Sequence, residues 1–177
     1  DDPDAVEALR TFSTVLVGGA AVPPPLRTRA ADAGVTVVAT YGMSETCGGC
    51  VYDGVPLDGV AVALDVDGRI RVSGPTLFSG YAGRPDLTAE VLRDGWFHTG
   101  DLGSLDEDGY LRITGRKKEI IVTAGGKNVA PAVLEDRIRA HPLVSQCVVV
   151  GDGEPFIGAL VTIDPESFPQ WAHENGK

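Results

Sequence analysis

A run of chemically active side chains occupies residues 41–46, with the sequence Tyr-Gly-Met-Ser-Glu-Thr. The ring of Tyr41 could stack on a nucleobase, and Gly42 could let the backbone approach a phosphate. Ser44 and Glu45 add oxygen ligands, which Mg²⁺ prefers and usually shares with substrate phosphates. The alternative is a polar loop that does no more than end a strand.

A glycine turn, Gly18-Gly19-Ala20, ends the preceding predicted strand. Each turn by itself is a weak signal. Because open parallel sheets bind ligands outside the carboxyl ends of adjacent strands, the two turns together favour a ligand site.

Two later segments carry charges that could meet a nucleotide. Residues 96–101 end in Asp101, and an aspartate in such a turn could accept two hydrogen bonds from a ribose diol or merely close the turn. Residues 115–118 (Gly-Arg-Lys-Lys) could contact a phosphate or form a solvated face.

Several other candidate motifs lack the residues or the spacing that their chemistry requires. Cys47 and Cys50 have the spacing of half a zinc site, but the sequence holds no second pair, and Cys147 lies far away. Phe156 stands where a dinucleotide fingerprint beginning at Gly151 needs glycine, and no P-loop string occurs. The histidines have no Ser or Cys in a nucleophile-elbow setting, so a hydrolytic triad has no support.

Composition excludes further classes. The 177 residues include 15 Lys and Arg against 25 Asp and Glu, a net charge of −10, and no basic cluster could follow a nucleic-acid backbone. Hydrophobic residues make up 43% of the chain, but the apolar runs are too short to cross a bilayer. Three cysteines are too few for a disulfide scaffold, and we expect a cytoplasmic protein without an integral membrane segment.

The first part of the chain predicts a parallel crossover. A short helix over residues 6–12 and a buried strand over 14–17 precede a helix over 26–33 and a β-branched strand over 35–38. Alternating segments and turn dipeptides then predict antiparallel strands over residues 60–66, 69–72 and 111–114. The predicted fold class is α/β with an antiparallel β subdomain.

The last third predicts a small α+β module. A helix entered at Pro131 places Leu134 and Ile138 on one side, with Leu143 as a weaker third member. Short strands are predicted over residues 120–122, 147–150 and 159–163, with a glycine turn at 125–126. The polar run 114–119 is the predicted linker between domains.

Taken in order, these motifs resemble the adenylate-forming (AMP-binding) superfamily, which includes acyl-CoA synthetases, aryl-CoA ligases, luciferases and peptide-synthetase adenylation domains. The matching segments are residues 18–20, 41–45, 96–101, 115–119, 125–126 and 131–135. The resemblance covers essentially the whole chain. It implies that residues 1–115 end the large AMP-binding domain and that residues 116–177 form the hinge and a truncated small C-terminal domain.

The resemblance implies a role for each matched residue. Tyr41 would stack on adenine, Ser44 would reach the α-phosphate, and Asp101 would hold the ribose hydroxyls at the opposite end of the same nucleoside. Arg116 would contact ribose or phosphate, and Lys118 would be the hinge. The implied cofactor-binding set is Gly18, Gly19, Ala20, Tyr41, Gly42, Ser44, Asp101, Arg116, Gly125 and Gly126, the last two lining the pantetheine tunnel. The implied catalytic set is Glu45, Arg116 and Lys118, with Glu45 as the Mg²⁺ ligand.

The implied reaction has two halves. A carboxylate attacks the α-phosphate of ATP to give an acyl-adenylate and pyrophosphate, and the CoA thiolate then displaces AMP. The implied cofactors and substrates are ATP, Mg²⁺, CoA and a carboxylic acid. Residues 41–60 look most like o-succinylbenzoate-CoA ligases of menaquinone synthesis, whereas residues 113–164 look like long-chain fatty-acid-CoA ligases. The alternatives are a non-catalytic nucleotide-binding remnant, an interaction module and, more weakly, a peptide-synthetase adenylation domain.

The family's phosphate loop has no counterpart before residue 18, so we expect an internal fragment that lacks the N-terminal half and is weakly active or inactive alone. Asn175-Gly176-Lys177 imitates the family's adenylation-lysine string, but its distance from Pro169 is wrong, so we interpret Lys177 as a coincidental match. Both predicted parallel strands are apolar on two faces, and we expect low solubility or self-association.

Overall fold

The computed structural model describes residues 2–20 and 22–176; Lys177, interpreted above as a coincidental match, lies outside them. The described residues fold into two compact units, one that ends at Thr114 and one that begins at Gly115. The helices are α1 (Pro3–Arg10), α2 (Pro24–Asp32), α3 (Pro85–Val91), α4 (Pro131–Arg139) and α5 (Ser167–Glu174). The strands of the first unit are β1 (Val15–Val17), β2 (Val37–Met43), β3 (Gly48–Tyr52), β4 (Val55–Pro56), β5 (Ala61–Leu64), β6 (Arg69–Ser73), β7 (Leu92–Arg93), β8 (Trp96–Leu105) and β9 (Leu111–Arg116), which continues into the second unit. Those of the second unit are β10 (Ile121–Val122), β11 (Asn128–Val129), β12 (Val144–Val150) and β13 (Gly158–Ile163).

The predicted parallel crossover is confirmed. β1 and β2 pair in parallel, with Val17 opposite Ala39, and α2 connects them. The first helix begins earlier than predicted, because the Asp2 carboxylate accepts a hydrogen bond from the Asp4 amide at 3.0 Å and Pro3 suits the first turn. It also ends at Arg10 rather than at residue 12.

The described strands of the first unit form two sheets. One has the order β1-β2-β3-β4, and the other has the order β5-β6-β8-β7, with β9 also paired to β8. The predicted antiparallel strands are present, and the turn dipeptides close them: Gly68 N donates to Asp65 O at 2.8 Å, and Gly109 N donates to Asp106 O at 3.0 Å. Both sheets contribute to one buried cluster of Cys50, Val51, Ile70, Val72 and Leu111, against which Tyr41 packs.

The second unit is a small α+β module, as predicted. Leu134 and Ile138 of α4 pack on Cys147 and Val149 of the antiparallel pair β12 and β13. Glu135 strengthens this packing, because its Oε1 accepts a hydrogen bond from the Val149 amide at 2.8 Å. The placement of Leu143 on the helix face is wrong, since α4 ends at Arg139.

The sequence analysis did not predict the helices α3 and α5 or the strands β3, β4, β7, β8 and β11. Most of these elements are too short for a periodic pattern, and β8 is interrupted by the bulge at residues 99–101. In α5, Pro169 lies within the first turn, where proline is tolerated but masks the helical signal. Among the described residues, no helix is long and apolar enough to cross a membrane.

The exposed edge of β1 generates a prediction. In the described sheet β1 lies at the edge, and its central residue Leu16 is 59% exposed. An unpaired apolar edge strand is a template for association. We expect the isolated chain to self-associate, and we expect Leu16→Glu to raise the monomer fraction measured by analytical ultracentrifugation.

The matched control is Val66→Glu, which adds the same charge at a fully exposed position away from β1. Equal effects of the two variants would show that net charge, not the strand edge, governs association. A monodisperse wild-type chain would contradict the prediction.

Candidate functional site

The glycine turn after β1 lies beside β2, as predicted for two strands that end at the same sheet edge. A Cβ at Gly18 would lie 2.3 Å from Thr40 Oγ1, so the turn presses against the residue that precedes Tyr41. A Cβ at Gly19 would meet no atom within 4 Å. The turn therefore has one packed side and one open side, and its contact with a nucleotide stays a prediction for Gly18, Gly19 and Ala20.

Tyr41, Gly42 and Met43 are the end of β2 rather than the loop that was predicted. The strand continues because β3 returns alongside it, with Tyr41 opposite Val51 and Gly42 opposite Gly49. One extra residue on β3 creates a bulge at this point. The pairing depends on residues up to ten positions further along the chain, which the pattern of residues 41–46 by itself does not record.

Gly42 has a packing role that the sequence analysis missed. A Cβ at this position would lie 1.9 Å from the Gly48 carbonyl oxygen and 2.7 Å from the Gly49 Cα. Only glycine lets the two backbones approach this closely at the bulge. Its predicted contact with a phosphate stays untested beside this role.

A short 3₁₀ turn, Ser44–Thr46, follows β2 and positions the next two candidate residues. Thr46 is buried, and its Oγ1 accepts a hydrogen bond from the Met43 amide at 2.9 Å and donates to the Gly48 carbonyl at 2.7 Å. The hydrogen bonds of this buried hydroxyl therefore hold the turn in place. It leaves Ser44 exposed and Glu45 half-buried, so the hydroxyl of Ser44 is accessible to a ligand.

Glu45 is held by a segment that the sequence analysis did not single out. The Tyr81 hydroxyl donates a hydrogen bond to Glu45 Oε1 at 2.7 Å, and the Phe78 amide donates to the Glu45 carbonyl at 2.9 Å. The hydrogen bond to Glu45, followed by burial, raises the pKa of Tyr81 above its ordinary value. An aromatic residue set in a glycine-rich turn, Gly80-Tyr81-Ala82-Gly83, was the signal available in the sequence.

Asp101 lies in a strand bulge, and the predicted turn is wrong. In β8, His98 and Leu102 pair with Arg71 and Arg69 of β6, so residues 99–101 stand opposite a single residue, Ile70. Thr99 Oγ1 closes the bulge by donating to the Ile70 carbonyl at 2.9 Å and accepting from the Asp101 amide at 3.1 Å. Gly100 has φ +79°, which favours glycine.

The Tyr41 hydroxyl donates a hydrogen bond to Asp101 Oδ2 at 2.8 Å. Asp101 is only 5% exposed, so this bond helps to satisfy a buried carboxylate. Burial, opposed by a hydrogen bond from Thr99 and reinforced by the charge of Asp101, raises the pKa of Tyr41 far above its ordinary value. The two side chains are close enough for one nucleoside to touch both, and the expectation that they hold its opposite ends stays a prediction.

The remaining candidates lie in the second unit. Arg116 and Lys118 are exposed, and Arg116 Nη1 lies 3.9 Å from Glu119 Oε1 across a 3₁₀ turn, Lys117–Glu119. Gly125 and Gly126 lie in the turn between β10 and β11, where a Cβ on either would meet no atom within 4 Å. The base of that turn is anchored, because the Ala124 amide donates to the Glu154 carbonyl at 2.9 Å. The tip of this turn is open and its base is held by a hydrogen bond, as expected for a loop that contacts a ligand.

The donor sets fit the implied groups to different degrees. Within residues 2–20 and 22–176, no group of three His, Cys, Asp or Glu side chains could hold a metal. Mg²⁺ that arrives with a nucleotide needs only one or two carboxylates, and Glu45 can supply one. The adjoining ring of Tyr41 and carboxylate of Asp101 suit the aromatic and diol parts of a nucleoside.

Comparisons with known proteins identify the relatives of this chain. Residues 118–175 match the family model of the AMP-binding enzyme C-terminal domain. The chain is 57% identical over 155 residues to the long-chain-fatty-acid–CoA ligase FadD15 of Mycobacterium bovis, a match that covers 82% of this chain and 26% of that protein. It is 48% identical over 164 residues to a probable 2-succinylbenzoate–CoA ligase of Mycobacterium tuberculosis, covering 90% of this chain and 42% of that protein.

A solved structure shares the fold. The o-succinylbenzoate CoA synthetase of Bacillus subtilis, in complex with its acyl-adenylate intermediate, matches with a TM-score of 0.81 and 25% identity over 97% of this chain and 42% of that one. The same Bacillus enzyme has been solved with AMP and with ATP and a magnesium ion. The predicted fold class and the resemblance to both kinds of ligase are confirmed. The chain spans 26–42% of the length of these relatives.

The close approach at Gly42 generates a stability prediction. Gly42→Ala places a methyl group against the backbone of Gly48 and Gly49, and relief of that overlap requires the bulge to open. We expect a loss of at least about 2 kcal/mol in the free energy of unfolding, measured by urea denaturation. Gly125→Ala is the control, because its Cβ meets no atom; equal stability of the two variants would contradict the prediction.

The buried phenol of Tyr41 generates a prediction about pH. Because its pKa is higher in the folded state than in the unfolded chain, its stabilising contribution is complete below about pH 10 and is lost as the pH rises through the folded-state pKa. We expect the wild-type free energy of unfolding to fall above about pH 10 by up to about 1.4 kcal/mol per pH unit more than that of Tyr41→Phe. Urea denaturation across this range measures the difference.

Tyr52→Phe is the control for removal of a hydroxyl, since the Tyr52 hydroxyl contacts a backbone carbonyl, that of Gly49, at 3.4 Å. Above about pH 10, the free energy of unfolding of Tyr52→Phe should fall with pH as steeply as that of wild type. Parallel pH profiles for wild type and Tyr41→Phe would show that Tyr41 is not held protonated by the fold.

Proposed function

We propose that this chain, which belongs to the adenylate-forming superfamily, is part of an AMP-forming acyl-CoA ligase. Such an enzyme activates a carboxylic acid with ATP as an acyl-adenylate and transfers the acyl group to CoA. The observation that carries the proposal is the 2.8 Å hydrogen bond between Tyr41 and Asp101, which joins two motifs separated by 60 residues. Convergence of an aromatic ring and a carboxylate supports a nucleoside site in the first unit.

In this proposal, Tyr41 stacks on adenine and Asp101 accepts hydrogen bonds from the ribose hydroxyls. On the open side of the glycine turn at Gly18 and Gly19, main-chain atoms lie against the nucleotide. The exposed hydroxyl of Ser44 contacts the α-phosphate. A diol that reaches Asp101 must share or replace the hydrogen bond from Tyr41, because the carboxylate is almost fully buried.

We assign Mg²⁺ to Glu45 together with the nucleotide phosphates. When bound, the ion neutralises charge that develops on the phosphates during adenylate formation. The chain's own part is to hold one carboxylate in a fixed orientation, which the bond from Tyr81 supports. Because the described residues offer no larger ligand cluster, the proposed ion is shared with the substrate rather than resident.

We assign residues 1–115 to the end of the large domain and residues 116–177 to the hinge and small domain. The division of the fold after Thr114 and the start of the family match at Lys118 both support a boundary here. Arg116 then supplies a cation for ribose or phosphate, Lys118 is the hinge, and the open tip at Gly125 and Gly126 lines the path of the CoA thiol.

For the acid we propose a long-chain fatty acid first and o-succinylbenzoate second. The 57% identity to the fatty-acid ligase exceeds the 48% identity to the succinylbenzoate ligase. We propose that the chain alone binds nucleotide but turns over weakly or not at all, because it spans less than half of these relatives. All three cysteines are free thiols, which supports a reducing, cytoplasmic setting.

The test is equilibrium binding of AMP and of a non-hydrolysable acyl-adenylate by calorimetry. Asp101→Asn keeps the size of the side chain but removes the charge, and loss of a charge-assisted hydrogen bond costs about 1.5–3 kcal/mol. We expect its affinity for both ligands to fall about 10-fold to 100-fold.

Asp108→Asn is the matched control, an exposed aspartate in the turn between β8 and β9, and it should bind like wild type. Wild-type chain that binds neither ligand would overturn the proposed function. Turnover is measured separately, as pyrophosphate release with a long-chain fatty acid and with o-succinylbenzoate. Robust turnover would overturn only the proposal that the chain alone has little or no catalytic activity.

A further inference from the structure

One short segment, residues 78–81, contacts Glu45 twice. The Phe78 amide donates to the Glu45 backbone carbonyl at 2.9 Å, and the Tyr81 hydroxyl donates to its side-chain Oε1 at 2.7 Å. The hydrogen bond to the carbonyl fixes the main chain at Glu45, and the hydrogen bond from the phenol fixes the position of the carboxylate at the end of its side chain. Of the two carboxylate oxygens, this contact engages Oε1 and leaves Oε2 for a cation.

The phenol is itself anchored, so it can impose an orientation. The Tyr81 amide donates to Thr88 Oγ1 at 2.9 Å, and Thr88 belongs to α3. The Tyr81 ring packs edge-on against Phe78 with centroids 4.9 Å apart, and Phe78 packs in turn on the buried Phe97 at 5.6 Å. The neighbouring Gly80 has no room for a side chain, because a Cβ would lie 2.7 Å from Thr88 Cγ2.

A held carboxylate binds a cation better than a mobile one. A free glutamate side chain samples several rotamers, and ordering it costs conformational entropy. Hydrogen-bond donors behind ligating groups remove that cost in advance, and loss of such partners typically weakens metal binding about 10-fold to 100-fold. A phenol is suited to this task because it donates a hydrogen bond without neutralising the carboxylate charge.

We infer that Tyr81 is a positioning residue that orients the Glu45 carboxylate toward the divalent cation accompanying the nucleotide. This inference rests on the proposed function, which places Mg²⁺ at Glu45. Tyr81 does not itself contact the cation or the nucleotide in this assignment. It acts through Glu45, so its effect exists only when both Glu45 and the cation are present.

The test measures the affinity of the chain for ATP by calorimetry with Mg²⁺ and again with the metal chelated. The ratio of the two dissociation constants is the Mg²⁺ increment. In Tyr81→Phe, which keeps the ring and its packing, we expect the increment to fall about 10-fold while the metal-free affinity is unchanged. Glu45→Gln should abolish the increment, and adding Tyr81→Phe to it should cause no further loss.

Tyr52→Phe is the matched control, since its hydroxyl touches a backbone carbonyl and no carboxylate, and its increment should equal that of wild type. A full increment in Tyr81→Phe, or a further loss in the double variant, would overturn the inference while leaving the proposed function intact. Wild type that binds ATP without any Mg²⁺ increment would overturn the placement of Mg²⁺ and this inference, but not nucleotide binding. Wild type that binds no ATP would overturn both proposals.

Discussion

The hydrogen bond between the Tyr41 hydroxyl and the Asp101 carboxylate joins the two sheets of the first unit at the candidate site. Tyr41 belongs to β2 of one sheet, and Asp101 belongs to β8 of the other. A buried carboxylate must be satisfied, and a half-buried phenol gains by donating, so each residue constrains the position of the other. The glycine turn after β1 contacts Thr40, the residue before Tyr41, and the turn that carries Glu45 begins three residues after Tyr41.

Both candidate ligand carboxylates of the first unit accept a hydrogen bond from a tyrosine: Asp101 from Tyr41, and Glu45 from Tyr81. The shared feature has a physical consequence. A neutral donor orients a carboxylate without cancelling its charge, whereas a salt bridge would compete with a ribose diol or a cation for the same oxygen atoms.

The glycines of the motifs are present for different reasons. Gly18 and Gly42 are required by close contacts, with Thr40 in the first case and with the backbone of β3 in the second. Gly125 and Gly126 face open space, so packing within the described chain does not require them, although the φ of +76° at Gly126 favours glycine there. Contacts explain the first pair, and the proposed path of the CoA thiol gives a reason for the second pair.

The sequence by itself determined the parallel crossover of β1 and β2, the helix entered at Pro131, the hairpin turns and the superfamily, because these depend on local periodicity, turn residues and short motifs. It placed Tyr41 and Asp101 in one site but described both as loop residues. Only the tertiary structure decided that Tyr41 ends a strand, that Asp101 lies in a bulge opposite Ile70, and that Tyr81 contacts Glu45. The reason is that strand pairing and side-chain hydrogen bonds join residues far apart in the chain, and their free energy overrides the local preferences that a sequence pattern records.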